Sequence, residues 1–150
     1  MISVNGMAHI VINVSEWDVC KPFYKKIMPF LGLEQVFDGE EYIYFVGGRT
    51  AVGINKCQSE YENERFVQQK IGLHHFCLRG KSKEDIDSIY NYLLQIEAKV
   101  VEKPRAGEWA PGYYFVLFED PIGTRIEVNY VPGKGVLETG VGFTPGEHYK

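Results

Sequence analysis

Ala8-His9-Ile10-Val11-Ile12-Asn13-Val14, near the N-terminus, and His74-His75-Phe76-Cys77-Leu78-Arg79, in the middle of the chain, read as copies of one another. A histidine opens each, and an apolar or β-branched run follows, as expected of an inner strand. The second copy closes with Glu119-Asp120-Pro121-Ile122-Gly123-Thr124-Arg125-Ile126-Glu127-Val128, a turn leading into a strand that carries a carboxylate. Two histidines on equivalent strands of a duplicated unit, together with that glutamate, make a metal-binding set.

Working outward from these strands, the same order of elements is predicted twice. Residues 7–14 read as a strand buried on both faces. Ser15 or Asp18 is expected to cap the following helix, with Pro22 in its first turn and Phe23, Ile27, Phe30 and Leu31 on its buried side, ending near Gly32. Three strands follow at Glu34–Asp38, Glu41–Val46 and Thr50–Cys57, joined by turns at Asp38-Gly39 and Gly47-Gly48. The second round has a strand at 73–79 and a helix at about 82–97 with Ile86, Ile89, Tyr90, Leu93 and Leu94 inward. Strands at about 98–103, 113–119 and 124–131 complete it. A unit of strand, helix and three strands cannot bury both sheet faces alone, so two must pair. The expected organisation is one domain over 1–150: a first module at about 5–57, a linker at 58–72 with room for a short helix, a second module at about 73–131, and a tail at 132–150.

Strand parity sorts the polar atoms, because side chains alternate between faces. His9 shares its face with Val11 and Asn13. Aligning the copies gives His75, rather than His74, the matching face, with Cys77 and Arg79. On the last strand Arg125, Glu127 and Asn129 face the cleft, while Ile126, Val128 and Tyr130 face the helix. His9, His75 and Glu127 therefore fall on one expected face and are assigned as metal ligands. Two imidazoles and one carboxylate suit Fe, Mn, Zn, Ni or Co and leave positions open for substrate or water. Asn13, Cys77 and Tyr114 are expected in the pocket wall, with Trp109 and the tail at 133–147 as lids. Cys77 reads as a small apolar side chain rather than a nucleophile.

Composition narrows the partners. A chain of 150 residues that is 45% hydrophobic and 14% aromatic has enough apolar material for a sizeable core. Its net charge of −4 carries no basic block, which argues against nucleic acid. Three cysteines without CxxC spacing, and an N-terminus without the regions of a signal peptide, point to a reduced, cytoplasmic setting. No apolar run approaches the roughly 20 residues needed to span a bilayer. The expected partners are a small-molecule substrate and a second copy of the chain.

The chain resembles the vicinal oxygen chelate superfamily over about residues 7–131. The resemblance rests on His9 with Lys21-Pro22-Phe23-Tyr24, on Gly72-Leu73-His74-His75-Phe76, and above all on Asp120-Pro121-Ile122-Gly123-Thr124-Arg125-Ile126-Glu127. It implies an α+β fold in which two paired βαβββ modules form a curved mixed sheet around a divalent metal. It also implies ligands at His9, His75 and Glu127. A fourth ligand position, on strand 50–57, matches Ile54, or Asn55 after a one-residue slip. With three ligands the chain departs from glyoxalase I, where Glu or Gln stands at that place, and Glu127 is the candidate general base. Neither neighbouring branch matches fully. No histidine lies within 104–118 and Leu117 stands where iron dioxygenases place a tyrosine. No basic phosphonate cradle is legible either, although Arg79, Arg105 and Arg125 are available. The expectation is a metal-dependent lyase, isomerase, thiol-transfer enzyme or oxygenase. The alternative is a metal-free small-molecule binder of the same fold.

Overall fold

The computed structural model describes residues 1–143, and the chain divides into a first unit, Met1–Phe66, and a second beginning at Val67. In the first unit, β1 (His9–Val14), α1 (Trp17–Phe30), β2 (Glu34–Asp38), β3 (Tyr42–Gly47) and β4 (Thr50–Lys56) follow the predicted order. They form a four-stranded sheet in the order β1-β4-β3-β2, with β1 and β4 parallel and the other pairs antiparallel. A parallel pair needs a long crossover, supplied here by α1 with β2 and β3. Ile12 and Val14 are buried, whereas His9, Val11 and Asn13 are exposed, so β1 alternates instead of being buried on both faces.

The helix differs from expectation in three details. Neither Ser15 nor Asp18 caps it. Glu16 is the N-cap, in left-handed conformation with φ 46° and without a side-chain cap, while the Ser15 hydroxyl donates to the Glu64 carbonyl. Pro22 sits in the second turn and Pro29 lies farther on. The buried stripe is Cys20, Tyr24, Ile27 and Met28, one ridge away from the expected Phe23, Phe30 and Leu31, and Phe30 is 43% exposed. Tyr24 and Cys20 carry polar atoms that weaken the pattern, yet their apolar bulk packs under the sheet.

Lys21 and Lys25, on α1, meet Asp38 at the end of β2, the Lys21 Nζ–Asp38 Oδ1 distance being 2.9 Å. Hydrogen bonds from Lys25 and then Lys21 hold the Asp38 carboxyl at about 2, below its ordinary 3.8. A depressed carboxyl contributes stability above its unfolded value and loses it as pH falls through the folded one. The exposed setting keeps the effect small and screened by salt. Asp38→Asn should therefore lower the urea midpoint slightly at neutral pH and low salt. The gap should close as pH falls from about 4 to 2. A gap that persists in acid would assign the loss to something other than these ion pairs.

The second unit repeats the order with β5 (Phe76–Arg79), α2 (Lys83–Gln95), β6 (Lys99–Ala106), β7 (Tyr114–Glu119) and β8 (Arg125–Tyr130), in the sheet order β5-β8-β7-β6. Two four-stranded mixed sheets, each with its helix, give the expected α+β class. Ser82 caps α2, its Oγ accepting the Asp85 N–H at 3.1 Å. Ile86, Ile89 and Leu93 are buried, but Leu94 is 53% exposed. Strand β6 runs through Pro104 to Ala106, beyond the end expected at about residue 103. Its edge position tolerates a proline that cannot donate to the ladder.

Trp109 is a core residue of this unit rather than a lid. It packs with Phe115 and Leu117, and the Val101 and Tyr113 side chains flank the cluster. The tail forms a short 3-10 turn at Gly135–Leu137, and residues 144–147 of the expected lid lie outside the described residues. The linker likewise holds a 3-10 turn, Ser59–Tyr61. Among the described residues no helix is long and apolar enough to cross a membrane.

The turn between β7 and β8 is tied by one buried side chain. Asp120 Oδ1 accepts the N–H groups of Ile122 at 3.0 Å and Thr124 at 2.7 Å. Gly123 has φ 97°, a left-handed geometry that a side chain strains. This turn sets the start of β8 and hence the position of Glu127, three residues after Thr124.

Candidate functional site

A small pocket in the second unit gathers the chemistry. His74 and His75 stand just ahead of β5, and Glu127 lies on β8 opposite Cys77. Gln68, Trp109, Tyr113, Leu117 and Arg125 complete the lining. His75 Nε2 is 3.5 Å from Glu127 Oε2, and the carboxylate is 7% exposed. Its other oxygen, Oε1, accepts the Tyr113 hydroxyl, and Asn129 Nδ2 donates to the Tyr113 oxygen at 2.8 Å. Burial first, and then the hydrogen bond to Glu127, raise the Tyr113 phenol far above its ordinary range, so it remains a neutral donor.

His75 is oriented from its other side. His74 Nδ1 and His75 Nδ1 are 2.7 Å apart, and the Gln68 amide nitrogen is 2.8 Å from His74 Nε2. A neutral imidazole has one N–H and one lone pair, so His74 governs which nitrogen of His75 keeps the hydrogen.

Of the expected trio, His75 and Glu127 are brought together. His9 belongs to the first unit, on the exposed face of β1. Two atoms bound to one ion at about 2.1 Å, at angles of about 90–109°, lie about 3.0–3.4 Å apart. The His75–Glu127 separation of 3.5 Å is close to that edge, and an imidazole with a carboxylate is a donor pair suited to a divalent transition metal. The pair therefore fits such an ion as part of its ligand set. Among the described residues no three His, Cys, Asp or Glu side chains converge as a complete metal site.

The expected pocket wall needs revision. Tyr114 turns to the helix side, its hydroxyl donating to Asp87 Oδ1 at 2.9 Å with Lys83 over its ring. The residue in the pocket is its neighbour Tyr113. Parity held the signal, since Tyr114 pairs with Tyr130, which was already assigned to the helix face. Cys77 is not among the pocket-lining residues. Burial first and the Glu127 charge second push its thiol well up, consistent with an inert apolar role. Asn13 lies in the first unit and accepts a hydrogen bond from Asn55 at 2.8 Å. Arg105 pairs with Glu102 at 3.0 Å, and Arg125 Nε lies 3.4 Å from Glu119 Oε1.

Sheet register also corrects the fourth position. Cys77 pairs with Glu127 across β5 and β8, and its counterpart Val11 pairs with Gly53 across β1 and β4. The first-unit equivalent of Glu127 is therefore Gly53, rather than Ile54, which is fully buried, or Asn55. A methyl group on Gly53 would overlap the Tyr42 hydroxyl and come within 3.0 Å of Val11 Cγ2. The tyrosine ring covers the place where a carboxylate stem would begin.

Comparison with known proteins agrees with this architecture. The family model of the Glyoxalase/Bleomycin resistance protein/Dioxygenase superfamily matches residues 6–128. The chain belongs to this superfamily. No curated protein matches it. Among solved structures, a provisionally assigned glyoxalase from Bacillus halodurans superposes with a TM-score of 0.75 at 22% identity, covering 85% of this chain and 96% of that one. Lactoylglutathione lyase from Agrobacterium tumefaciens gives 0.62 at 21% identity, with coverages of 85% and 94%. A glyoxalase/bleomycin resistance protein from Albidiferax ferrireducens T118 gives 0.66 at 16%, with coverages of 83% and 98%. These likenesses establish the fold. The glyoxalase-superfamily assignment confirms the family expected from the Asp-Pro-Ile-Gly turn, while the reaction rests on this chain's own side chains.

Proposed function

We propose that the chain is a metal-dependent enzyme acting on a small oxygenated molecule, with His75 and Glu127 holding a divalent transition metal. The observation that carries this reading is the pairing of His75 Nε2 and Glu127 Oε2, 3.5 Å apart in a pocket of the second unit. Such a metal, when bound, supplies Lewis-acid polarisation of a substrate oxygen. Glu127 is the candidate base once its Oε2 swings off the ion, Oε1 being engaged by the Tyr113 hydroxyl. Trp109 and Tyr113 offer ring surface to the apolar part of a ligand, and Arg125 brings a cation to the same pocket.

Metal content decides the matter. Purified wild type should carry about one equivalent of a transition metal per chain by plasma mass spectrometry, and His75→Ala should lose it. Iron would direct assays to dioxygen chemistry. Nickel, zinc, manganese or cobalt would direct them to isomerase, lyase or thiol-transfer substrates. A second reading, a metal-free small-molecule binder, is favoured by the Gly53–Tyr42 contact at the fourth position. No metal in either protein, even after reconstitution, would remove the first reading and direct the work to a screen of small aromatic ligands.

A further inference from the structure

We propose that Tyr113, itself held by Asn129, is a positioning residue that makes Glu127 a one-oxygen ligand aimed at the His75 side of the pocket. The proposal rests on the reading of Glu127 as a metal ligand and concerns what governs that carboxylate.

The direction of the hydrogen bonds follows from inventory. A phenol has a single O–H to give, and Glu127 as a carboxylate only accepts. The Tyr113 hydroxyl therefore donates to Oε1. Asn129 must then present its amide N–H to the phenol oxygen, as it does at 2.8 Å, because a carbonyl there would ask one hydrogen to serve two acceptors. Glu127 and Asn129 are 7% and 8% exposed, so water has little access to replace either contact.

The phenol's own place is fixed by packing. Its ring meets Trp109 edge-on, with centroids 5.0 Å apart, and Phe115 at 5.8 Å. A Cβ on Gly107 would come within 2.8 Å of the Tyr113 ring, so the loop backbone closes on it as well. Glu127 and Asn129 lie two residues apart on one strand and share a face. One phenol oxygen bonds to both side chains. Oε1 is thereby committed, and the carboxylate is turned so that Oε2 is the oxygen 3.5 Å from His75 Nε2. Outer partners of this kind typically change metal affinity about 10–100-fold when removed.

Tyr113→Phe is the informative change, because phenylalanine keeps the ring packing and deletes only the hydroxyl. Cobalt(II) titrations of wild type, Tyr113→Phe, Asn129→Ala and the double variant would follow Kd by calorimetry and coordination by the visible d–d spectrum. The expected result is a Kd raised about 10–100-fold in Tyr113→Phe with an altered spectrum. Asn129→Ala should shift Kd less, in the same direction, and the double variant should be no worse than Tyr113→Phe alone. Wild-type Kd and spectrum in Tyr113→Phe would overturn the proposal, as would strict additivity in the double variant.

A structural readout separates this outcome from failure of the metal reading. Crystal structures of wild type and Tyr113→Phe, both without added metal, should show the Glu127 carboxylate displaced from the His75 side in the variant. Should wild type bind no cobalt, the metal reading falls, and this comparison still decides the positioning role. A carboxylate in the same place in both proteins would overturn it.

Discussion

Glu127→Gln is expected to abolish the thermal stabilisation that a divalent metal confers on the wild type. A ligand that binds only the folded state at 100 times its Kd stabilises it by about 2.7 kcal/mol. For a chain of this length that corresponds to a rise in Tm of about 5–11 °C. Glutamine preserves the shape and an acceptor for the Tyr113 hydroxyl, so the protein without added metal should melt near the wild-type temperature. It removes the negative charge that an ion needs beside His75. If Kd rises about 100-fold, the same metal concentration yields about 0.4 kcal/mol, a shift of about 1–2 °C. Scanning calorimetry with and without metal measures both arms. Equal stabilisation of the two proteins would remove Glu127 from the ligand set.

Asp120→Ala should cause a large loss of stability without touching the pocket. Asp120 is 3% exposed, and one of its oxygens accepts two backbone N–H groups, those of Ile122 and Thr124. Alanine leaves both donors without that acceptor in the buried β7–β8 turn, at a cost of about 3 kcal/mol. The expected fall in Tm is about 6–12 °C. Asp120→Asn keeps an acceptor oxygen in nearly the same shape and should lose about 1 kcal/mol. Chemical denaturation of the two variants tests the difference. A loss below about 1 kcal/mol for alanine would show that the turn holds without its side-chain clamp.

Particular residues explain how far the fold was legible. The duplicated order of strand, helix and three strands could be read because each element carries a local signal. Ser82 with Asp85 marks a helix start, and Asp120-Pro121-Ile122-Gly123 marks a turn, whereas the apolar run of β1 hides that only one of its faces is buried. Errors came where local chemistry was ambiguous. Pro104 cannot donate to a ladder yet lies in an edge strand that runs past its expected end near residue 103, and Trp109, expected as a lid, fills the core. The α1 stripe was misplaced by one ridge because Tyr24 and Cys20 hide apolar bulk behind polar atoms.

His75 and Glu127 were singled out by the copy alignment and by strand parity, which depend only on periodicity along the chain. The sequence by itself thus determined the two βαβββ units, the superfamily, and which face of each strand carries the candidate ligands. The partners across strands were decided by the tertiary structure. Neither Tyr113 clamping Glu127 nor His74 oriented toward Gln68 has a spacing rule, because each contact joins segments set by loop and turn geometry. Gly53 as the counterpart of Glu127 likewise emerges only from sheet register. Periodicity tells which way a side chain points, and only the packed fold tells what it meets there.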